Sequence, residues 1–399
     1  MNQGPGLQRT MLPQGFLASG VNCGVRRYRP DIGLLISDRD AVAAAVFTLN
    51  ECKAAPIVYC QSLLPSSGIR AIVTNSGQAN AATGEKGVEN NHLMASAVAK
   101  HLECLPTQVL TASTGVIGQQ MEIEKILEAM PELVVRAADT AESFALAILT
   151  TDLVPKSVST VVKLSGGEVR ITGICKGSGM IHPNMATMLG YLLTDAEIPM
   201  GLAQDLLTDA VNDSFNMISV DGDTSTNDCC FLLANGASGV ALRSLEDHAK
   251  FKQALNHVAQ ILAQSIASDG EGATKLIEVL VKGSPDRALA RRAARGVTLS
   301  PLVKTAIHGE DPNWGRILAR LGAEGIPAVL LNGLTLTLQG TKLFAAGAPI
   351  EYERTAVRTA MKTQTVKIEI DLHAGAEHAT AWGCDLSKKY VDINTEYPT

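Results

Sequence analysis

Two short apolar runs, Thr160-Val-Val-Lys-Leu164 and Val169-Arg-Ile-Thr-Gly-Ile174, flank the turn Ser165-Gly-Gly-Glu168. Alternating β-formers on either side of a glycine turn predict a hairpin, and a hairpin commits the chain to antiparallel pairing. Further strands are expected at Ile32–Ile36, Ala71–Thr74 and Val109–Ala112, and Ala41–Leu49 reads as a core strand or a short helix. Apolar residues at three-to-four spacing predict helices over 86–103, 121–130, 136–149, 199–213 and 246–267. Pro131 is expected to end the second of these, because proline lacks the N–H a continuing helix needs. Pro199 is expected in the first turn of the fourth, where the missing donor costs nothing. Hairpins together with long helices predict a mixed α/β (α+β) class, a layered sheet sandwich covered by helices, rather than a doubly wound nucleotide fold.

Composition narrows the function classes. The 399 residues are 46% hydrophobic and 19% charged, enough apolar material for a large core. A net charge of −6 gives no electrostatic reason for a nucleic-acid partner. No run approaches the roughly 18 apolar residues of a membrane span, and the N-terminus lacks the apolar core of a signal peptide. The eight cysteines form no C-x-x-C pair, which predicts reduced thiols and a cytoplasmic protein.

The chemistry concentrates in Lys176-Gly-Ser-Gly-Met-Ile-His-Pro-Asn-Met-Ala-Thr-Met-Leu189. Thr187 stands where a glycine-rich loop gives way to the apolar run Met188–Leu193. A threonine hydroxyl is a poor nucleophile unless a base takes its proton, and the threonine's own α-amino group can serve once the preceding peptide bond is cut. A simpler reading is a glycine-rich turn entering a core strand. No Gly-x-Gly-x-x-Gly is present, so a phosphate cradle is not expected there. Ser113-Thr-Gly-Val-Ile-Gly118 follows a predicted strand and offers exposed backbone N–H groups, although a strand-to-helix turn capped by Thr114 would look the same. Asp221–Asp228 fails as a calcium loop, because Thr226 replaces the required glycine and Leu232 the bidentate glutamate. Asx-type turns are expected instead. His308-Gly-Glu-Asp311 lacks a spaced partner cluster and reads as a structural network, and no metal site is expected.

Lys176-Gly-Ser-Gly-Met180 followed by Pro183-Asn-Met-Ala-Thr-Met-Leu189 closely resembles the self-cleavage motif of the ornithine acetyltransferase family. His182 stands where that family is expected to vary. Asn75–Asn80, Val220–Asp228, Val303–Arg316 and Ala381–Asp385 extend the likeness from about residue 14 to the end. The resemblance implies a cut between Ala186 and Thr187, giving an alpha chain 1–186 and a beta chain 187–399 that co-fold and pair into a heterotetramer of two alpha and two beta chains. It implies that Thr187 becomes both nucleophile and base, with Thr114 (hydroxyl) and Gly115 (backbone N–H) as the oxyanion hole. The family's substrate-binding positions fall on Thr150, Lys176, Thr187, Glu271, Asn394 and Thr399. The implied reaction moves acetyl from N-acetylornithine to glutamate in arginine biosynthesis with no cofactor. Acetyl-CoA is a candidate co-substrate, since some members use it as donor. A freed α-amino group has a pKa of about 7.7–8.0, so activity is expected to rise with pH until that amine is neutral. The alternative reading is a self-processing amidase or aminopeptidase with the same threonine nucleophile.

Overall fold

The computed structural model describes residues 9–182 and 188–396. Its strands make two sheets. The first is built from β1 (Phe16–Val21), β2 (Ile32–Phe47), β3 (Ser66–Gln78), β4 (Val109–Val116), β5 (Lys156–Leu164), β6 (Gly167–Lys176) and β7 (Leu189–Thr194). After β8 (Ile218–Ser219), which belongs to the second sheet, β9 (Cys229–Ala234) returns to the first. The second sheet is completed by β10 (Leu276–Ser284), β11 (Thr335–Leu338), β12 (Thr341–Ala345), β13 (Ala348–Pro349), β14 (Thr365–Asp371) and β15 (Glu377–Cys384). The first sheet runs in the order β4-β3-β2-β9-β7-β6-β5, with β1 paired to β2, and the second runs β13-β12-β11-β14-β10-β15-β8. Both are mixed: β3/β4, β7/β9 and β10/β14 are parallel. The expected hairpin is present and longer than its apolar runs, with Lys156 opposite Cys175 and Leu164 opposite Gly167.

The first sheet is buried on both faces, and its sequences show why. In β9 every residue of Cys229-Cys-Phe-Leu-Leu-Ala234 is buried. Side chains alternate across a strand, so Cys230, Leu232 and Ala234 join one core while Cys229, Phe231 and Leu233 join another. The first core includes the helices Met200–Asn212 and Leu245–Ser268 and reaches the second sheet. The longer helix touches β5 and β6 on one sheet and β8, β10 and β15 on the other. Its start is fixed by Ser244, whose hydroxyl accepts from the Asp247 N–H. Asp247 in turn accepts from the Ser165 N–H and hydroxyl, at 2.8 and 2.6 Å, so the helix start holds the β5–β6 turn. The mixed α/β, layered architecture is as expected.

Three helix expectations are corrected. Pro131 does not end its helix, which runs Ile123–Val135 through it. An interior proline costs ~3 kcal/mol, and burial of Leu133 beyond it, with Ile123, Ile126 and Met130 on the same apolar face, outweighs this at about 1.5–3 kcal/mol per fully buried large side chain. The helix over 136–149 shrinks to Glu142–Ala147. Residues ahead of it are taken by pairing: Ala138 exchanges backbone bonds of 2.9 and 2.7 Å with Ala18 of β1, and Thr140 bridges Met11. Pro199 sits at the cap, one residue before the helix Met200–Asn212, and its carbonyl accepts from the Ala203 N–H. Of Ala41–Leu49, Ala41–Phe47 is strand, forming most of the second half of β2, and Thr48 and Leu49 lie beyond it.

Candidate active site

Lys176 is the last residue of β6 and pairs with Leu189, the first of β7. The glycine-rich segment therefore closes a loop between two adjacent antiparallel strands, and its two ends are neighbours. Ala186 and Thr187 lie outside the described residues, as does Thr399 at the C-terminus. Thr114, Gly115, Thr150, Lys176, Glu271 and Asn394 all line one cavity of ≈ 190 Å³, together with Met188 and Leu189 on the far side of the loop. Residues as far apart in sequence as Thr114 and Asn394 thus line the same cavity.

Beneath the cavity lies a buried charge network, none of whose three members lines it. Lys156, at the start of β5, donates to Asp152 at 2.8 Å and to Asp269 at 2.6 Å, with all three side chains almost fully enclosed. Asp152 also accepts from the N–H groups of Gly177 (2.7 Å) and Thr150 (3.1 Å). Burial opposes its charge, but Lys176 and Lys156 hold its carboxyl down at about 2. Asp269 anchors the other side, accepting from the Leu153 N–H, while its backbone carbonyl takes the Ser178 hydroxyl at 2.6 Å. One ion cluster thus fixes the backbone on both sides of the Thr150 segment and the start of the loop.

Above this network the cavity has two polar ends. The Lys176 ammonium donates to the Thr114 hydroxyl at 3.3 Å. Burial pushes its pKa below the usual lysine value against the pull of Asp152. It is a buried lysine rather than the solvated loop lysine its surroundings in sequence suggest. At the other end, the Glu271 carboxylate accepts from the Asn394 amide at 2.8 Å, and its N–H donates to the Ser178 carbonyl at 3.0 Å. Glu271 is only 8% exposed. Two glycines crowd it: a Cβ on Gly272 (φ +71°), the next residue, would lie 2.5 Å from the Tyr390 nitrogen, and one on Gly179 would lie 2.4 Å from the Glu271 carboxyl. Asn394 belongs to the helix Lys388–Glu396, which supplies this wall of the cavity. A buried ammonium facing a buried carboxylate across such a cavity suits a small zwitterion.

Gly115 is held against the neighbouring strand. At φ +131° its position would place a Cβ 2.2 Å from the Gly77 carbonyl carbon, so no other residue fits. The adjacent Ser113 carbonyl accepts from the Asn227 amide at 2.9 Å, and the same amide reaches the Ala79 carbonyl at 2.5 Å. Asn227 belongs to the Asp221–Asp228 loop, which also grips the loop ahead of the described gap. The Asp221 carboxylate accepts from the Met180 and Ile181 N–H groups at 2.6 and 2.8 Å, and the Thr224 hydroxyl donates to the His182 carbonyl at 3.2 Å. The turns expected there are present, with Asp223 N–H on Asp221 and Asn227 N–H on the Ser225 hydroxyl. Sequence reading assigned none of Asp152, Lys156, Asp269, Asp221 or Asn227 to the site. The usable signal was that Asp152 and Lys156 sit inside Thr150–Lys156, and Asp221 and Asn227 inside Val220–Asp228.

The histidine cluster is structural in geometry: His308 pairs with the buried Asp385 at 2.7 Å, and Glu310 with Lys275 at 3.0 Å. Among the described residues no helix is long and apolar enough to cross a membrane.

Comparison with known proteins places this site in a lineage. The ArgJ family model matches residues 17–399. The chain is 45% identical over 395 residues to the arginine biosynthesis bifunctional protein ArgJ of Thermotoga neapolitana, covering 97% of this chain and 100% of that one. It is 46% identical over 396 residues to the protein of the same name from Chlorobaculum tepidum, covering 98% of each. Among solved structures, the arginine biosynthesis bifunctional protein ArgJ of Bacillus halodurans superposes with a TM-score of 0.51 at 39% identity, covering 53% of this chain and 100% of that one.

Proposed function

This chain belongs to the ArgJ family, whose members are acetyltransferases of arginine biosynthesis, and on that premise we propose the finer reaction: acetyl passes from N2-acetyl-L-ornithine to Thr187 and then to L-glutamate. The peptide bond between Ala186 and Thr187 breaks first. The Thr187 hydroxyl attacks the Ala186 carbonyl, and water hydrolyses the resulting ester, freeing the Thr187 amine. That amine then takes the proton of its own hydroxyl as the oxygen attacks the acetyl carbonyl of the donor. The oxyanion of the tetrahedral intermediate is received by the Thr114 hydroxyl and the Gly115 N–H. Ornithine leaves with the proton held by the Thr187 ammonium. The amine of glutamate attacks the acetyl ester and returns the enzyme to its starting state.

The observation that carries this reading is the single cavity shared by Thr114, Gly115, Thr150, Lys176, Glu271 and Asn394 with the residues that follow Thr187. Lys176 holds the substrate carboxylate; Glu271 and Asn394 take an ammonium. Thr150 adds a hydroxyl between them. Length supports the cut: residues 187–399 are 213 of the 399, and the whole B. halodurans chain matches a stretch of equal share, 53% of this chain. After the cut the halves stay together, because β9 of the second half lies between β2 and β7, and β6 pairs with β7 across the break. Two such pairs form the heterotetramer, and Thr399 joins the substrate-binding set. The bifunctional label of the relatives fits acetyl-CoA as a second acetyl donor, and the setting is cytoplasmic.

Thr187→Ala tests the nucleophile. On denaturing gels the variant remains one chain and shows no acetyl transfer from N-acetylornithine to glutamate. A variant that still cuts, or an uncut variant with wild-type turnover, would overturn the assignment. Hydrolysis of N-acetylornithine without transfer to glutamate by the wild-type enzyme would favour the amidase alternative.

A further inference from the structure

A second cavity, of ≈ 320 Å³, lies behind His182 and shares no lining residue with the first. Arg291, Arg292 and Arg295 of the helix Arg287–Leu299 line it, together with His182 and one carboxylate, Glu324. Charges around it do not balance. Arg287, Arg291 and Arg295 recur every four residues on one face of the helix, a spacing at which like charges repel. Asp213 takes the first two, at 2.6 and 2.5 Å, and Glu324 is ion-paired with Arg320. Among the described residues, five guanidinium groups therefore meet two carboxylates, each already engaged by at least one arginine.

The surplus positive charge acts on its neighbours. Burial lowers the pKa of Arg295, with only Glu324 opposing. Burial, then Arg295 and Arg320, push His182 down to about 4. His182 is thus neutral at physiological pH and lines the cavity without adding to the charge. One of its ring nitrogens is engaged with the Ser219 hydroxyl at 3.2 Å. Asn212 and Asn216, linked amide to amide at 2.9 Å, and the apolar Met217 and Leu299 complete the walls. Arginine forks arrayed this way match the paired oxygens of phosphate and carboxylate groups.

We propose that this cavity is a binding site for a small dianion, either phosphate or a short dicarboxylate, held by Arg292 and Arg295 and separate from the acetyl-transfer cleft. The bound dianion supplies the counter-charge that Asp213 and Glu324 do not.

The test is titration calorimetry of the whole protein with inorganic phosphate and, separately, with succinate, at ionic strength held constant with sodium chloride. One saturable site is expected for at least one probe. Saturation by phosphate alone identifies a phosphate site; saturation by both identifies a site that also accepts dicarboxylates. Arg292→Gln should weaken binding more than tenfold, as loss of a charge-assisted hydrogen bond requires. Arg295→Lys, which keeps the charge and removes the fork, should do the same. If Arg295→Lys fails to fold, the exposed Arg292 decides alone. Absence of saturable binding by either probe, unchanged affinity in Arg292→Gln, or binding abolished by Lys176→Met instead, would overturn the proposal.

Discussion

Gly179→Ala adds one methyl group to the wall between the two polar ends of the acetyl-transfer cavity. The backbone at 179 is not in the left-handed region, so the substitution carries no conformational penalty of its own. Its Cβ would lie 2.4 Å from the carboxyl carbon of Glu271 and from one of its oxygens, and 2.6 Å from the other oxygen. Ordinary contact needs about 3.5 Å, so the carboxylate must retreat by about 1 Å. That stretches the 2.8 Å bond from Asn394 beyond hydrogen-bonding range and withdraws the anion from the position of a substrate ammonium. A hydrogen bond to a charged group contributes about 1.5–3 kcal/mol, which converts to about a ten- to hundredfold loss in kcat/KM. Lys176, Thr114 and the Asp152 network are not touched, so self-cleavage should proceed normally. Steady-state kinetics with N-acetylornithine and glutamate, alongside a gel for processing, measure both. Gly201→Ala, where the added methyl meets nothing within 4 Å, is the control and should leave kinetics unchanged. A kcat/KM for Gly179→Ala within twofold of wild type would refute the role given to Glu271.

Other parts of the site make separate predictions. Asp152 is held down at about 2, below its unfolded value near 3.9. A depressed carboxylate contributes stability that is whole above the unfolded pKa and is lost as pH falls through the folded one, here between about pH 4 and 2, and worth roughly 2–3 kcal/mol. The gap in urea stability between wild type and Asp152→Asn should narrow by that amount between pH 5 and 2; a gap independent of pH would contradict the charge role. Asn227→Ala strands the buried carbonyls of Ala79 and Ser113, so thermal unfolding should report a loss of about 2–4 kcal/mol and turnover should fall with it. Thr114→Ala removes one oxyanion donor and should lower kcat by about 10²–10³, with folding unchanged by circular dichroism. The rate of acetyl transfer should rise with pH towards about 8, as the amine of Thr187 loses its proton, and a flat profile would remove that amine as base.

What the sequence revealed was local. The hairpin around Ser165–Glu168 could be read because the turn and both apolar runs lie within fifteen residues. The helix over 136–149 could not, because its first half is claimed by Ala18, a partner 120 residues away. The site divides in the same way. Thr114, Lys176 and Glu271 were reached through motif resemblance, and the structure gathers them. Lys156 was overlooked because its meaning lies in Asp269, 113 positions on. Asn394 gained a physical role only from Glu271, 123 positions earlier. Asn227 sits in a block that looked like plain turn chemistry, yet its amide reaches Ser113, 114 positions back. Spacing alone contains none of these pairings, because each joins residues more than 100 positions apart.

The central claim is that Thr187 becomes a new N-terminus and carries the acetyl group. Intact mass measured under denaturing conditions, after brief incubation with N-acetylornithine and no glutamate, tests it most directly. The account predicts fragments of 186 and 213 residues, with one acetyl on the fragment that begins at Thr187 and its loss on adding glutamate. A single unbroken chain of 399 residues, or an acetyl group carried by the other fragment, would contradict it.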